Sequence, residues 1–229
     1  MDANVFIVVL AGLVHATLQL GIGAMLLLYH ASLGKHIKKK TRELVSSYIL
    51  GNAVLIGLAV AGAAYIIYVI WNGEMSAAML SILVGILVAL AIAAWAFYYR
   101  LGKSTELWLP KSVSKFINKR ANLTESKVEG FGLGMLACFA EMPFALVLIV
   151  VAANSIIALP QAAQILMVAI YIIISIAPMI VLRICVKKGN TIVDIQKWRI
   201  SNKNFIKIVS GAGFLVLAIF ILAFKVFGN

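Results

Sequence analysis

Long apolar runs separated by short polar connectors dominate the chain. "FIVVLAGLVHATLQLGIGAMLLLY" and "AAMLSILVGILVALAIAAWAFYY" each exceed the roughly 18–20 residues needed to cross a hydrocarbon core. Reading every run in this way predicts six membrane spans, at 5–33, 44–71, 77–99, 128–158, 164–184 and 207–227. The expected fold class is therefore an all-α integral membrane protein. The first run has no basic region before it and no convincing cleavage site, and it is too long for a signal peptide. It reads as a retained first helix.

Composition agrees with the pattern. Of 229 residues, 63% are hydrophobic and 12% charged, whereas a soluble domain is about half apolar and a quarter charged. The net charge of +12 first suggests nucleic acid, but the placement of the charges points to membrane topology. Residues 34–43 hold five Lys/Arg, residues 100–127 hold seven, and the stretch from Arg183 to Lys207 holds seven more. The connectors "NGEMS" at 72–76 and "LPQAA" at 159–163 hold none. Nineteen of the 20 basic residues thus lie on one side, which the positive-inside rule makes cytoplasmic. The expectation is a multi-pass protein of the cell membrane with both termini outside. Its surroundings include an anionic cytoplasmic leaflet, its composition allows a homo-oligomer, and nucleic acid is not expected.

Within the basic linker, "PKSVSKFINKR" starts with Pro110 at a favoured first helical position. Val113, Phe116 and Ile117 share a face away from Lys111, Lys115 and Lys119, so a short interfacial helix is predicted, with Trp108 at headgroup level. Asn122 with Glu125 three residues on reads as a capping box opening the fourth span. "TIVDIQKWRI" reads as a second surface helix.

Three spans, a long basic linker and three more spans suggest a 3+3 plan. The halves are residues 1–99 and 128–229, joined by 100–127. An odd number of spans per half inverts one half relative to the other, as in many secondary transporters. Sliding the first span onto the fourth so that Gly12 meets Gly134 brings Gln19 onto Glu141. Each then lies roughly 20 Å along its helix, near mid-membrane, at about 1.5 Å per residue.

Glu141 is the sharpest feature of the chain. A carboxyl group at that depth is costly, and such groups usually face the protein interior and act. Pro143 removes a backbone donor and disturbs the carbonyl of Phe139, and a freed carbonyl beside a carboxyl makes a candidate proton or cation site. His15 and Gln19 are four apart, on one face of the first span. His15 is the second candidate for proton coupling, since histidine titrates near neutral pH; the competing readings are a neutral His15 donating to a helix backbone and a protonated Glu141 hydrogen-bonded to a neighbouring helix, with Pro143 a simple kink. Gln19, Asn52, Phe139, Pro143 and Cys138 complete the candidates for the substrate path, with helix packing the competing role for Gln19 and Asn52. Gly12, Ala16 and Gly23 in the first span and Gly130, Gly132 and Gly134 in the fourth suggest close packing of these two spans.

No phosphate loop, metalloprotease motif or Ser/His/Asp arrangement occurs, and no lysine lies deep in the last span. Neither an enzyme nor a cofactor is expected, and the two cysteines, Cys138 and Cys185, suggest no disulfide framework or zinc site.

Gly130–Phe131 at the start of the fourth span, Pro143 at its middle and the glycine-rich first span resemble the lysine-exporter (LysE) superfamily, which includes the CcdA/DsbD thiol-electron transporters. The resemblance implies a small-solute or ion exporter. Exporters of this group carry a polar-Pro pair where this chain has Glu141-Met142-Pro143, and the first span lacks the proline such families often have. Cys138 matches the fourth-span cysteine of the thiol carriers, but the first 137 residues hold no partner cysteine. The functional expectation is a proton-coupled secondary transporter of a small solute or cation. The alternatives are a non-transporting scaffold or accessory subunit, and an ion channel.

Overall fold

The computed structural model describes residues 3–18, 20–33, 38–97, 111–187 and 192–228. Among these residues the chain is helical throughout, with no strand. In chain order the helices are α1 (Ala3–Ala16), α2 (Leu20–Leu33), α3 (Lys38–Trp71), α4 (Ala77–Phe97), α5 (Lys111–Leu123), α6 (Lys127–Ile157), α7 (Gln161–Lys187), α8 (Ile192–Ser201) and α9 (Lys203–Ile221). A π-helical turn, Leu222–Val226, continues α9. Among the described residues, five helices are long and apolar enough to cross a membrane: Lys39–Trp71, Ala77–Ala96, Lys127–Ile157, Gln161–Cys185 and Lys203–Val226.

The expected first span is not one helix. It is split into α1 and α2, each of 14 residues, and the split falls at its middle. The cause is local. The Thr17 hydroxyl turns back to donate to the Val14 carbonyl at 2.7 Å. The amides of Thr17 and Leu18 donate to the carbonyls of Val14 and His15, each at 3.0 Å, which tightens the last turn of α1. From α9, the Ser210 hydroxyl reaches the Thr17 carbonyl at 3.5 Å. The carbonyls of Val14, His15 and Thr17 at the break therefore have donors, the condition for tolerating one at membrane depth.

The broadest packing is between α3 and α6, followed by α4 with α9; α1 lies on α6, α7 and α9. The closest approach is thus between the second and fourth apolar runs, whereas the glycine pattern predicted the first and fourth. A Cβ on Gly134 would collide with the carbonyl oxygen of Tyr48, and one on Gly51 with that of Phe131. The Gly12 position faces the Ile174 side chain of α7 instead. Small residues let two backbones touch, but which backbone fills the gap is a tertiary matter.

Helix ends follow their own chemistry. The capping box that opens α6 is Ser126 with Glu129, not Asn122 with Glu125. Ser126 is extended, its hydroxyl accepts from the Glu129 amide, and Glu129 accepts from the amides of Ser126 (3.1 Å) and Glu125 (2.6 Å). Asn122 instead bonds back to Asn118 within α5. Between α3 and α4 the chain turns at Asn72 and Gly73, both at positive φ (52° and 98°). That turn is tied to α6 by the Met75 amide, which donates to Asn154 Oδ1 at 3.2 Å.

The predicted linker helix forms as α5 and packs on α2 and α6, with Ile117 buried and Phe116 exposed. Pro110 and Trp108 lie outside the described residues. Helix α8 matches the second surface helix. The outer faces of α3, α4, α7 and α9 present apolar side chains such as Leu58, Ile66, Ile92, Ile165 and Ile219. On five long apolar helices this belt fits contact with lipid.

Candidate functional site

Glu141 is 4% exposed. The cause is its position: it sits at the middle of α6, the helix covered by α3 on one flank and by α1 on another. It is not isolated there. Tyr48 of α3, fully buried, lies within electrostatic range of both Glu141 and Cys138. Cys138, one turn before Glu141 and 1% exposed, interacts with the same carboxyl group.

A second pair adjoins this one. His15, in the last turn of α1 before the break, is buried, and its Nδ1 lies 2.9 Å from the Tyr171 hydroxyl of α7. The rings are tilted by 54° with centroids 5.8 Å apart. An imidazole protonated at Nε2 accepts from the phenol, and one protonated at Nδ1 donates to it. Tyr171 is fully buried, within electrostatic range of Cys138, and Ser175 donates to its carbonyl at 2.8 Å. The trio Glu141, Cys138 and Tyr48 and the pair Tyr171 and His15 are thus five buried titratable groups, linked by the Tyr171–His15 hydrogen bond and otherwise by electrostatic range. They come from α1, α3, α6 and α7.

The other sequence candidates fall differently. Asn52 is buried and donates a long hydrogen bond, 3.4 Å, to the Gly134 carbonyl. This places it in the α3–α6 contact one turn after Tyr48. The Phe139 side chain is 68% exposed and Pro143 is also exposed, so both face away from the cluster. Pro143 does not break α6, which runs through it. Gln19 lies outside the described residues, but the residues on either side of it bound the helix break.

Sequence reading missed Tyr171, Tyr48, Thr17 and Ser210. Tyr171 sits in "VAIYIIIS", where it reads as one more apolar residue. The available signal was its hydroxyl, which needs a partner once buried at that depth.

A cavity of about 760 Å³ adjoins the break. Ala16, Thr17 and Ile22 line its inner end, and Pro178 to Cys185 of α7, Asp194 to Trp198 of α8 and Phe205 to Val209 of α9 supply the rest. Glu141 is not on its wall. None of His15, Tyr171, Cys138 and Tyr48 is on its wall either.

No family model matches the chain, and no curated protein or solved structure aligns with it significantly. The likeness to the lysine-exporter superfamily accordingly rests on the plan of the chain.

Proposed function

We propose that this chain is a secondary transporter that exports a small solute or cation across the cell membrane, with proton movement through Glu141 and His15 coupled to cargo movement. The observation that carries the reading is the helix break at mid-span, directly after the buried His15, in a bundle that also buries an acid, Glu141. Interrupted helices surround the central sites of transporters because their free backbone groups and flanking polar side chains are usable there.

The reading takes α1 and α2 together as one span, making six, arranged as two inverted halves with both termini outside. Helix starts support this. The offset that brings Gly12 onto Gly134 also brings Lys38, which opens α3, onto Pro160, just before α7. It brings Ala77, which opens α4, onto Arg199, close to the start of α9. Packing is consistent with exchange of halves. The α3–α6 contact has its counterpart in α7–α1, α2–α3 in α7–α6, and α4–α9 exchanges with itself. Under the same offset Thr17 to Gln19 fall on Phe139 to Glu141. The break in one half thus corresponds to the proline-disturbed turn and the acid in the other.

A second reading, an accessory subunit in which Glu141 is a packing contact, is favoured by one observation: the carboxyl group is buried and already engaged within the chain. The two readings separate on whether the acid exchanges protons with water. Proton release from the purified protein, followed across neutral pH, decides it. Transport predicts a titrating group that disappears in Glu141→Gln. Superimposable curves for the two proteins would remove proton coupling through Glu141 and leave the subunit reading.

A further inference from the structure

The end of the molecule away from the basic connectors holds a second cavity, of about 870 Å³, within the ~300–1,000 Å³ typical of single-ligand sites. Tyr65 and Tyr68 of α3 form one side of it. The turn that carries Glu74 forms another, and the α6–α7 connection with Gln161 and Gln164 closes it.

This wall is fastened from several sides. The chain turns in the left-handed region at Asn72 and Gly73. The Glu74 amide then donates to the Trp71 carbonyl at 3.4 Å, and the Met75 amide to buried Asn154 at 3.2 Å. Gln164 Nε2 donates to the carbonyls of Ile157 and Leu159 at 3.2 and 3.0 Å. A Cβ on Gly73 would lie 3.8 Å from the Ile157 side chain and 3.9 Å from the Tyr68 ring. Helices α3 and α6 thus meet at the turn beside Glu74.

The electrostatics of the wall have one sign. Glu74 is its single charged residue. The carboxylate has no ion pair and no hydrogen bond among the described residues. Neither connector at this end, 72–76 or 159–163, holds a Lys or Arg, and Lys225 is not on the wall. Helices α3 and α6 finish at the cavity and α7 starts there, so two negative helix ends face one positive end. Tyr65 and Tyr68 are three apart, on one face of α3, and the face of a phenol ring attracts a cation.

We propose that this cavity binds a small organic cation, its alkylammonium group held between the Glu74 carboxylate and the rings of Tyr65 and Tyr68. The carboxylate supplies the opposite charge. The rings supply a surface that accepts methyl groups and positive charge together. The amide oxygen of Gln164, whose nitrogen is already used, is an acceptor for a hydroxyl on the same molecule. A divalent metal ion fits poorly, since it takes several oxygen ligands and the wall has one carboxylate. The headgroup of a choline lipid fits less well than a free cation, because its phosphate would come up against Glu74. The inference concerns binding at this end of the molecule and does not rest on the transport reading.

Saturation-transfer NMR on the full chain in maltoside detergent tests it, with choline as the probe and glycerophosphocholine as the comparison. Choline is expected to bind with a Kd on the order of 1 mM, and glycerophosphocholine about fivefold more weakly. Glu74→Gln should weaken choline binding about fivefold, and Tyr68→Leu about threefold. Both side chains are exposed, so unchanged helicity is expected in each variant. Glu125→Gln removes an exposed acid at the opposite end of α6 and should leave binding as it was. Unchanged binding in either Glu74→Gln or Tyr68→Leu would overturn the proposal, as would an equal loss in Glu125→Gln. No choline signal above that of protein-free micelles would overturn it too. Glycerophosphocholine binding as tightly as choline would overturn it in favour of a lipid headgroup. None of these results bears on the proton titration of Glu141.

Discussion

The first apolar run leaves the helix after Ala16, at Thr17 and Leu18, where it holds no proline, while α6 runs unbroken from Lys127 to Ile157 with Pro143 inside it. Intrinsic propensity alone ranks these two the other way, since proline costs about 3 kcal/mol in a helix interior and threonine well under 1. The neighbours reverse the order. At the first run, Thr17 and Ser210 supply donors to the carbonyls that a break exposes. In α6 the stretch before the proline is held by close backbone contact with α3, Phe131 against Gly51 and Gly134 against Tyr48. Pro143 is exposed, so its ring displaces no packed neighbour. In a medium without water, a helix is interrupted where its backbone has other partners and kept where it has none.

Four substitutions probe this contrast. The largest effect is expected for Gly134→Ala, whose methyl group has no space against the Tyr48 carbonyl. It should cost on the order of 3 kcal/mol or more, read as a fall in the thermal midpoint in detergent, with Gly132→Ala as control. Gly132 has open space around it, so the control should be neutral or stabilising by up to about 1 kcal/mol. Equal behaviour of the two glycine variants would mean the α3–α6 contact is not close.

Pro143→Ala comes next. It restores a backbone donor toward Phe139 and should stabilise α6 by roughly 1–3 kcal/mol, visible as a higher midpoint and slower amide exchange at residue 143 and its neighbours. A loss of stability would mean that the proline ring packs against something after all.

Tyr171→Phe removes the partner of His15 Nδ1 at 2.9 Å. Leaving a buried polar atom unsatisfied costs about 1–3 kcal/mol, and the cost should shrink in the double variant with His15→Leu. Additive losses in that cycle would show that the two side chains do not interact.

Thr17→Val is the mildest. It deletes the hydroxyl that turns back to Val14 and should shift stability by about 0.5–1.5 kcal/mol. Amide exchange around the break is the sensitive readout. Faster exchange there than in native protein supports the assigned role, and unchanged exchange says the break is held by Ser210 and the tightened turn instead.

Part of the site was legible in sequence because it violates its surroundings. Glu141 stands out in an apolar run, and its burial follows from that expense. His15 stands out in the same way. Asn52 also did, although the structure gives it a packing bond to Gly134. Tyr171 and Tyr48 were not legible: a tyrosine in an apolar helix is ordinary until another helix brings a histidine or a carboxyl group to it. Phe139 and Pro143 entered the candidate site through the backbone carbonyl that the proline disturbs; their side chains are exposed while that of Glu141 is buried, since adjacent positions on a helix point about 100° apart at 3.6 residues per turn.

By itself the sequence determined that the chain is made of apolar helices long enough for a membrane, where most of them start and stop, and where the basic connectors lie. These properties are local, because in a bilayer each helix must satisfy its own backbone and hide its own connectors. Tertiary structure alone decided that the first run divides, that α3 rather than α1 lies closest to α6, and that His15 meets Tyr171 near Glu141. Those outcomes depend on which helix supplies a donor or fills a gap, and such partners lie far along the chain, 156 residues apart for His15 and Tyr171.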